Sequence, residues 1–423
     1  MESTKLSKEQ LENNLLKHKE ELSSISKNLK ILDMTRGRPS SEQLDISLPM
    51  LESLKMIHFD QDAIDARNYG EPFGIMKARE YFAEILDVKS EEVIVQDSSS
   101  LEIMYDLIQN AMQFGIMGEK PWNKLDKVKF ICPAPGYDRH FAICEHFGIE
   151  MVTVPYLDDG PDVSIIEDLL KGNENFKGMW CVPKYSNPTG VTYSDEVVEK
   201  IASLKLPKDF RIFWDNAYVI HDLYDEGEQV KSIIKAVRNT ENRDKVYEFT
   251  STSKITFPGS GIAALATSVA NLEDLKKHLS IRKISPNKVN QLMHIHFLKN
   301  KANTEKIVKE HAKYLAPKFK LVINKLQSEF STSKNISFSN PKGGYFISLN
   351  VPHCAKRIVE ICSEHKVKLT NAGATYPYGN DDIDANIRIA PSVPSLEELD
   401  KAMSVLVLAI KCAIIEREIQ KLN

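Results

Sequence analysis

From about residue 93 to residue 270 the chain alternates short β-rich runs with helical segments, and this alternation restricts the fold more than any other feature. The order is VIVQ, LEIMYDLIQNAMQFG, KVKFICPA, YDRHFAICEHFG and MVTVPY, with further strands at GMWCVP, RIFWDN and KVYEFTSTSK. Near-continuous apolar strands joined through helices predict an α/β fold in which a mostly parallel sheet is buried between helices. Ligands of such folds sit beyond the carboxyl ends of the strands. After about residue 285 a long helical stretch is followed by strands around NISFSNPKGGYFISLN and ANIRIAPS and by a last helix, which reads as a smaller α+β domain. The expected divisions are 1–58, an amino-terminal helix and a segment joining the small domain; 59–285, the large domain; and 286–423, the small carboxy-terminal domain. Ser395 followed by Glu398 makes a capping box that starts the last helix.

Leu11, Leu15, Leu22, Ile25 and Leu29 follow one another at helical steps and predict an amphipathic amino-terminal helix. Its apolar stripe covers either its own domain or a second subunit. The 423 residues are 42% hydrophobic and 27% charged, ordinary for a globular chain that buries a full core. A formal net charge of -4 gives no global field toward nucleic acid or anionic membranes. Seven lysines against two glutamates in residues 299–320 read as a solvated helix face. The six cysteines form no C-x-x-C pair and read as reduced, buried thiols. The first 30 residues are charged throughout, and no apolar run reaches the roughly 18 residues of a membrane helix, so a cytoplasmic protein is expected. His294 and His296 in a helix lie on different faces, which argues against a metal site.

Four blocks at the ends of predicted strands carry the chemistry: DSSSLEIMYD (97–106), YSNPTG (185–190), WDNAY (214–218) and STSK (251–254). Singly each has a bland reading, since Asn-Pro marks a turn, an Asp after a strand caps a helix and a loop lysine is solvated. In this order they resemble the fold-type I pyridoxal-phosphate enzymes, and the class I/II aminotransferases in particular, over roughly residues 30–410. The wording LDMTRGRPS, NYGEPFGIMKARE, PKYSNPTG, STSKIT, NPKGGYF and NIRIAPS is similar to the bacterial aspartate aminotransferase subgroup related to aminotransferase-like transcription regulators.

The resemblance implies a role for each matching residue. Lys254 matches the lysine that carries the cofactor as a Schiff base and shuttles a proton. Asp215 matches the carboxylate that keeps the cofactor ring nitrogen protonated, and Asn187 and Tyr218 match the two donors to its phenolic oxygen. Tyr137 in APGYDRHF aligns with the aromatic residue stacked on the ring. Ser99, Ser100 and Ser251 take the phosphate, with amides at a helix start, although the family usually has a glycine in the first of these loops, which leaves the separate roles of Ser98, Ser99 and Ser100 open. Many relatives place an arginine where this chain has Ile262, so Ser260 or backbone amides are expected to replace part of the phosphate's partners. Tyr69 resembles the tyrosine that reaches a phosphate across a dimer interface. Arg388 matches the arginine that forks onto the substrate α-carboxylate, and Gly37 resembles the small residue whose backbone lies beside the substrate.

The implied protein is a homodimeric transaminase acting on amino acids and 2-oxo acids, with aspartate and 2-oxoglutarate the leading pair. Alanine or an aromatic amino acid, a β-lyase using the same Lys254, Asp215 and Arg388, and a non-catalytic ligand domain of a regulator are the alternatives. The regulators carry a winged-helix module at the amino end, whereas about 30 residues precede LDMTRG here. For a distal carboxylate the second cation is sought among Arg36, Arg38, Arg139 and Arg282, with Arg282 the first choice by its resemblance in location.

Overall fold

The computed structural model describes residues 7–61 and 64–422. Its centre is an eight-stranded sheet in the spatial order Val93–Gln96, Ala263–Ala266, Val246–Ser251, Arg211–Asp215, Phe176–Cys181, Lys129–Ala134, Glu150–Leu157 and Gly160–Pro161. The strands from Val246–Ser251 across to Glu150–Leu157 are parallel to their neighbours, while Ala263–Ala266 and Gly160–Pro161 run antiparallel. Sheet and helices alternate as the sequence pattern predicts.

Side chains alternate across the sheet with a period of two. Phe130, Trp180, Phe213 and Phe249 face one way, onto Met104, Leu107, Phe141 and Cys144 of the helices Ser100–Phe114 and Asp138–His146. Ile131, Met179, Ile212 and Trp214 face the other way, onto Ile166, Val198, Ile201 and Ile234. Both faces are covered, which is why these strands carry no polar alternation in the sequence.

A second layer is built on a three-stranded antiparallel sheet of Ser337–Phe338, Ile347–Asn350 and Asn386–Ile389, with a parallel pair of Leu32–Asp33 and Val367–Lys368. The long helices Lys301–Phe330 and Leu396–Lys421 close over it. Ser395 and Glu398 make the reciprocal capping bonds at the start of the last helix. The core of this layer takes in Tyr185 and Tyr218 from the loops above the large sheet, so the two layers meet along the strand ends. The helix Lys288–Leu298 packs through Leu292, Met293 and Leu298 against Val93, Val95 and Ile262 on the large sheet. All six cysteines are buried and unbridged. Among the described residues, no helix is long and apolar enough to cross a membrane.

The amino-terminal stripe is spent within the chain. The helix Lys8–Ser26 lies along Leu396–Lys421, with Leu11 and Leu22 buried, Leu15, Ile25 and Leu29 packed beside them, and Lys19 paired to Glu416 at 2.9 Å. Leu22 is 0% exposed and Leu16 59%. Leu22→Ala is therefore expected to lower unfolding free energy by about 2–5 kcal/mol in urea titration, and Leu16→Ala to stay within about 0.5 kcal/mol of wild type.

Candidate active site

The carboxyl ends of the strands open into a chamber of about 670 Å³ beneath the second layer. Lys254, Asp215, Asn187, Tyr218, Tyr137, Ser99, Ser100, Ser251, Arg388 and Gly37 all stand on its wall, so the blocks read as functional in the sequence are brought together. The sheet supplies most of them from the turns after successive strands, while Arg388 comes from the strand Asn386–Ile389 of the second layer and Gly37 from the segment after Leu32–Asp33.

Lys254 follows the strand Val246–Ser251 by three residues. Its Nζ donates to the carbonyl of Gly37 and lies 5.0 Å from the centre of the Tyr345 ring. Burial, reinforced by the positive charge of Arg388 and opposed by Asp215, lowers its pKa to about 8. A far larger share of neutral, nucleophilic amine is present near neutrality than in an ordinary lysine. Gly37 has to be glycine for packing reasons: a Cβ there would lie 2.6 Å from Phe346 Cζ and 2.8 Å from Tyr345 Cβ.

Asp215 ends the strand Arg211–Asp215 and is buried. Its Oδ2 meets His140 Nε2 at 3.0 Å, and its Oδ1 is buried with no hydrogen-bond partner. His140 is clamped in turn, stacked on Trp180 at 4.2 Å and met edge-on by Tyr137. Tyr137 has its hydroxyl pushed up to about 12, by burial first and then by the charges of Asp215 and Asp138. Burial likewise pushes the Tyr218 hydroxyl up, which keeps it a donor at any working pH.

Arg388 is buried on the opposite wall, its guanidinium 5.0 Å from the Phe346 ring centre. Nη1 donates to Asp138 Oδ1 at 2.7 Å and to Asn187 Oδ1 at 3.3 Å; Nη2 donates to Thr370 Oγ1 at 3.2 Å and to the carbonyl of Thr35 at 3.4 Å. Its Nε is buried without a partner. Because Asn187 accepts from Arg388 through Oδ1, its amide NH2 is the end left to donate into the chamber.

Ser99 and Ser100 stand at the start of the helix Ser100–Phe114, and Ser251, two strands away in the sheet, bonds Ser253 at 3.1 Å. Ser99 has φ of 90° and makes no side-chain cap bond. That backbone region favours glycine over serine. A helix start flanked by hydroxyls is an anion site.

The expectation for Arg282 is corrected, and the other candidates divide between the chamber wall and its surroundings. Arg282 is not on the chamber wall: it sits in the last turn of Val269–Arg282, paired to Glu102 at 3.2 Å and Asp106 at 2.5 Å. Arg36, Arg38 and Arg139 are on the wall. Tyr69 is 79% exposed and outside the chamber of its own chain. Ser98 and Ser260 do not line the chamber, whereas Ser253 does, and Ile262 is buried in the apolar packing under the sheet. His140, Asp138, Ser253 and Phe346 are site residues that sequence reasoning missed. For His140 a signal existed, three places after Tyr137 on one helix.

The residues fit pyridoxal phosphate: a buried carboxylate oxygen without a partner, a lysine whose pKa burial lowers and a serine-rich helix start share one chamber. This sheet and this disposition of lysine, carboxylate and anion site define the fold-type I class of pyridoxal-phosphate enzymes. Within that class the chain belongs to the aspartate aminotransferase family, whose model, described as "Aspartate amino-transferase", matches residues 6–422. It is 43% identical over 395 residues to an aspartate aminotransferase of Corynebacterium glutamicum, covering 92% of this chain and 91% of that one. Among solved structures, a putative aminotransferase from Corynebacterium diphtheriae superposes with a TM-score of 0.92 at 42% identity, covering 95% of this chain and 100% of that one. An aspartate transaminase from Corynebacterium glutamicum does so with 0.92 at 41%, covering 97% of each. The protein is an aminotransferase.

The lowered pKa of Lys254 has a direct readout. In the cofactor-free protein, acetylation of Lys254 by acetic anhydride, followed by mass spectrometry, should rise with pH to half its limit near 8, against about 10.4 for exposed lysines. A half-point above 10 would mean that burial does not govern this amine.

Proposed function

We propose that this aminotransferase transfers the amino group of aspartate to 2-oxoglutarate, using pyridoxal phosphate, in a cytoplasmic homodimer whose sites lie at the subunit interface. The observation that carries the reading is the chamber itself, where Arg388 faces Lys254 and Asp215 while Arg36, Arg38 and Arg139 add further positive charge to the wall. Bound there, the cofactor supplies the electron sink that amino-group transfer needs.

The side chains divide the work. Asp215, kept in place by His140, would hold the cofactor's ring nitrogen through its unpartnered Oδ1. Asn187 Nδ2 and the Tyr218 hydroxyl would donate to the cofactor's phenolic oxygen, and Tyr137 would hold its ring. Ser99, Ser100, Ser251 and Ser253 hold the phosphate, and Tyr69 of each protomer serves its neighbour's phosphate site, which accounts for its position outside its own chamber. Gly37 leaves room beside the substrate. Arg388 forks onto the α-carboxylate, orienting the α-carbon toward Lys254 Nζ, the base placed to take its proton. The division of labour follows the layers: 59–285 hold the cofactor, 1–58 bring Gly37 and 286–423 bring Arg388, although the helix Lys288–Leu298 packs on the large sheet.

The distal carboxylate falls to the wall arginines. Adding aspartate alone to the holoenzyme should convert the cofactor to its amine form, with one oxaloacetate per site and no ammonia; Lys254→Ala should abolish this. At least one of Arg36→Ala, Arg38→Ala and Arg139→Ala should lower the aspartate-to-alanine ratio of kcat/KM by roughly tenfold or more, about 1.4 kcal/mol of differential binding. Preference of the wild-type enzyme for alanine or an aromatic amino acid would overturn the substrate assignment, ammonia with pyruvate would indicate a lyase, and a fully active species of monomer mass in light scattering would overturn the dimer.

A further inference from the structure

Arg388 already holds a carboxylate. Asp138 is the first residue of the helix Asp138–His146, directly after Tyr137, and its side chain reaches across the chamber wall to place Oδ1 2.7 Å from Arg388 Nη1. The guanidinium is buried, and this is the one carboxylate with which it forms an ion pair among the described residues; its other partners are the neutral oxygens of Asn187, Thr370 and Thr35. Asp138 itself is 33% exposed and lines the chamber. One end of the pair is thus fixed in the protein, and the other can turn toward solvent.

We propose that Asp138 is an internal stand-in for the substrate: it neutralises Arg388 while the site is empty and is displaced from Nη1 when a substrate carboxylate arrives. The inference rests on Arg388 being the α-carboxylate arginine. Two parallel bonds from a guanidinium to an incoming carboxylate require N–H groups facing it, and Asp138 occupies one of them. If both anions stayed, two like charges would share one buried cation, which the low dielectric of the wall disfavours. Binding is then an exchange of one carboxylate for another, with no net change in the pairing of Arg388. A buried arginine is never left bare during the cycle, and the same exchange in reverse expels the oxo-acid product.

The exchange reduces carboxylate affinity, and this separates it from a positioning role. A residue that merely orients Arg388 would weaken ligand binding when removed, whereas removing a competitor strengthens it. The test uses the holoenzyme and follows the cofactor absorbance while titrating maleate, an unreactive dicarboxylate, and 3-phenylpropionate, an unreactive monocarboxylate. Asp138→Asn keeps an oxygen near Nη1 but removes the charge, and is expected to bind both probes about tenfold more tightly than wild type, with KM for the preferred amino acid falling in parallel. Asp138→Ser, which keeps a hydroxyl at the start of the helix, is measured beside it and should tighten binding in the same direction. Equal or weaker binding of both probes by the two variants overturns the proposal. The aspartate reading fails separately: a wild-type enzyme that favours 3-phenylpropionate over maleate would sink it while leaving the variant-to-wild-type ratios intact.

Discussion

Strand register is the constraint on which the site depends. Asp215 pairs with Phe249, and Trp214 pairs with Glu248 on one side and Cys181 on the other. With strands about 4.8 Å apart and side chains alternating faces, this register puts Asp215 on the same face as Phe213, over the helix that carries His140. A slip of one residue would turn the carboxylate onto the Trp214 face, away from both His140 and the chamber. The parallel order also brings the ends of Val93–Gln96, Lys129–Ala134, Phe176–Cys181, Arg211–Asp215 and Val246–Ser251 to one edge, so residues far apart in sequence become neighbours.

Charge in the chamber is balanced locally rather than by solvent. Asp215 meets His140, Arg388 meets Asp138, and among the described residues the Lys254 amine meets the Gly37 carbonyl and the Tyr345 ring. Burial shifts the Lys254 amine toward its neutral form, as it raises the hydroxyls of Tyr137 and Tyr218 on the same wall. Two of the buried polar atoms left without partners, Asp215 Oδ1 and Arg388 Nε, belong to residues on the chamber wall. Unbonded buried groups are costly in a native protein and concentrate where a ligand completes them.

The second layer decides access. Gly37 and Tyr345 reach Lys254 from strand-and-loop segments of the layer above the sheet, and Phe346 lies across the guanidinium of Arg388. Because Tyr185 and Tyr218 from the sheet loops are part of that layer's core, movement of one layer relative to the other would change the chamber directly.

The alternation of strands and helices, the capped last helix and the apolar stripe of Lys8–Ser26 were legible in the sequence because they follow from local periodicity. Lys254, Asp215, Asn187, Tyr218 and Tyr137 follow strands of the parallel sheet, whose turns share one edge, whereas their roles, and Arg388 on a strand of the second layer, were legible through the resemblance to the aminotransferases. The sequence left open whether the amino-terminal stripe covered its own chain, and packing on Leu396–Lys421 answered it. Arg282 and Asp138 show where local reading ends. Arg282 follows the last strands in sequence, yet at the end of its helix it meets Glu102 and Asp106, an ion-pair choice made by how two helices lie together. Asp138 looks like an ordinary first-turn acid, and only the approach of the strand Asn386–Ile389, 250 residues later, makes it the partner of Arg388. Periodicity and strand order determine which residues can gather at an edge; which charges then pair depends on distances of a few ångströms between elements remote in sequence, and these are set by the packing of the whole chain.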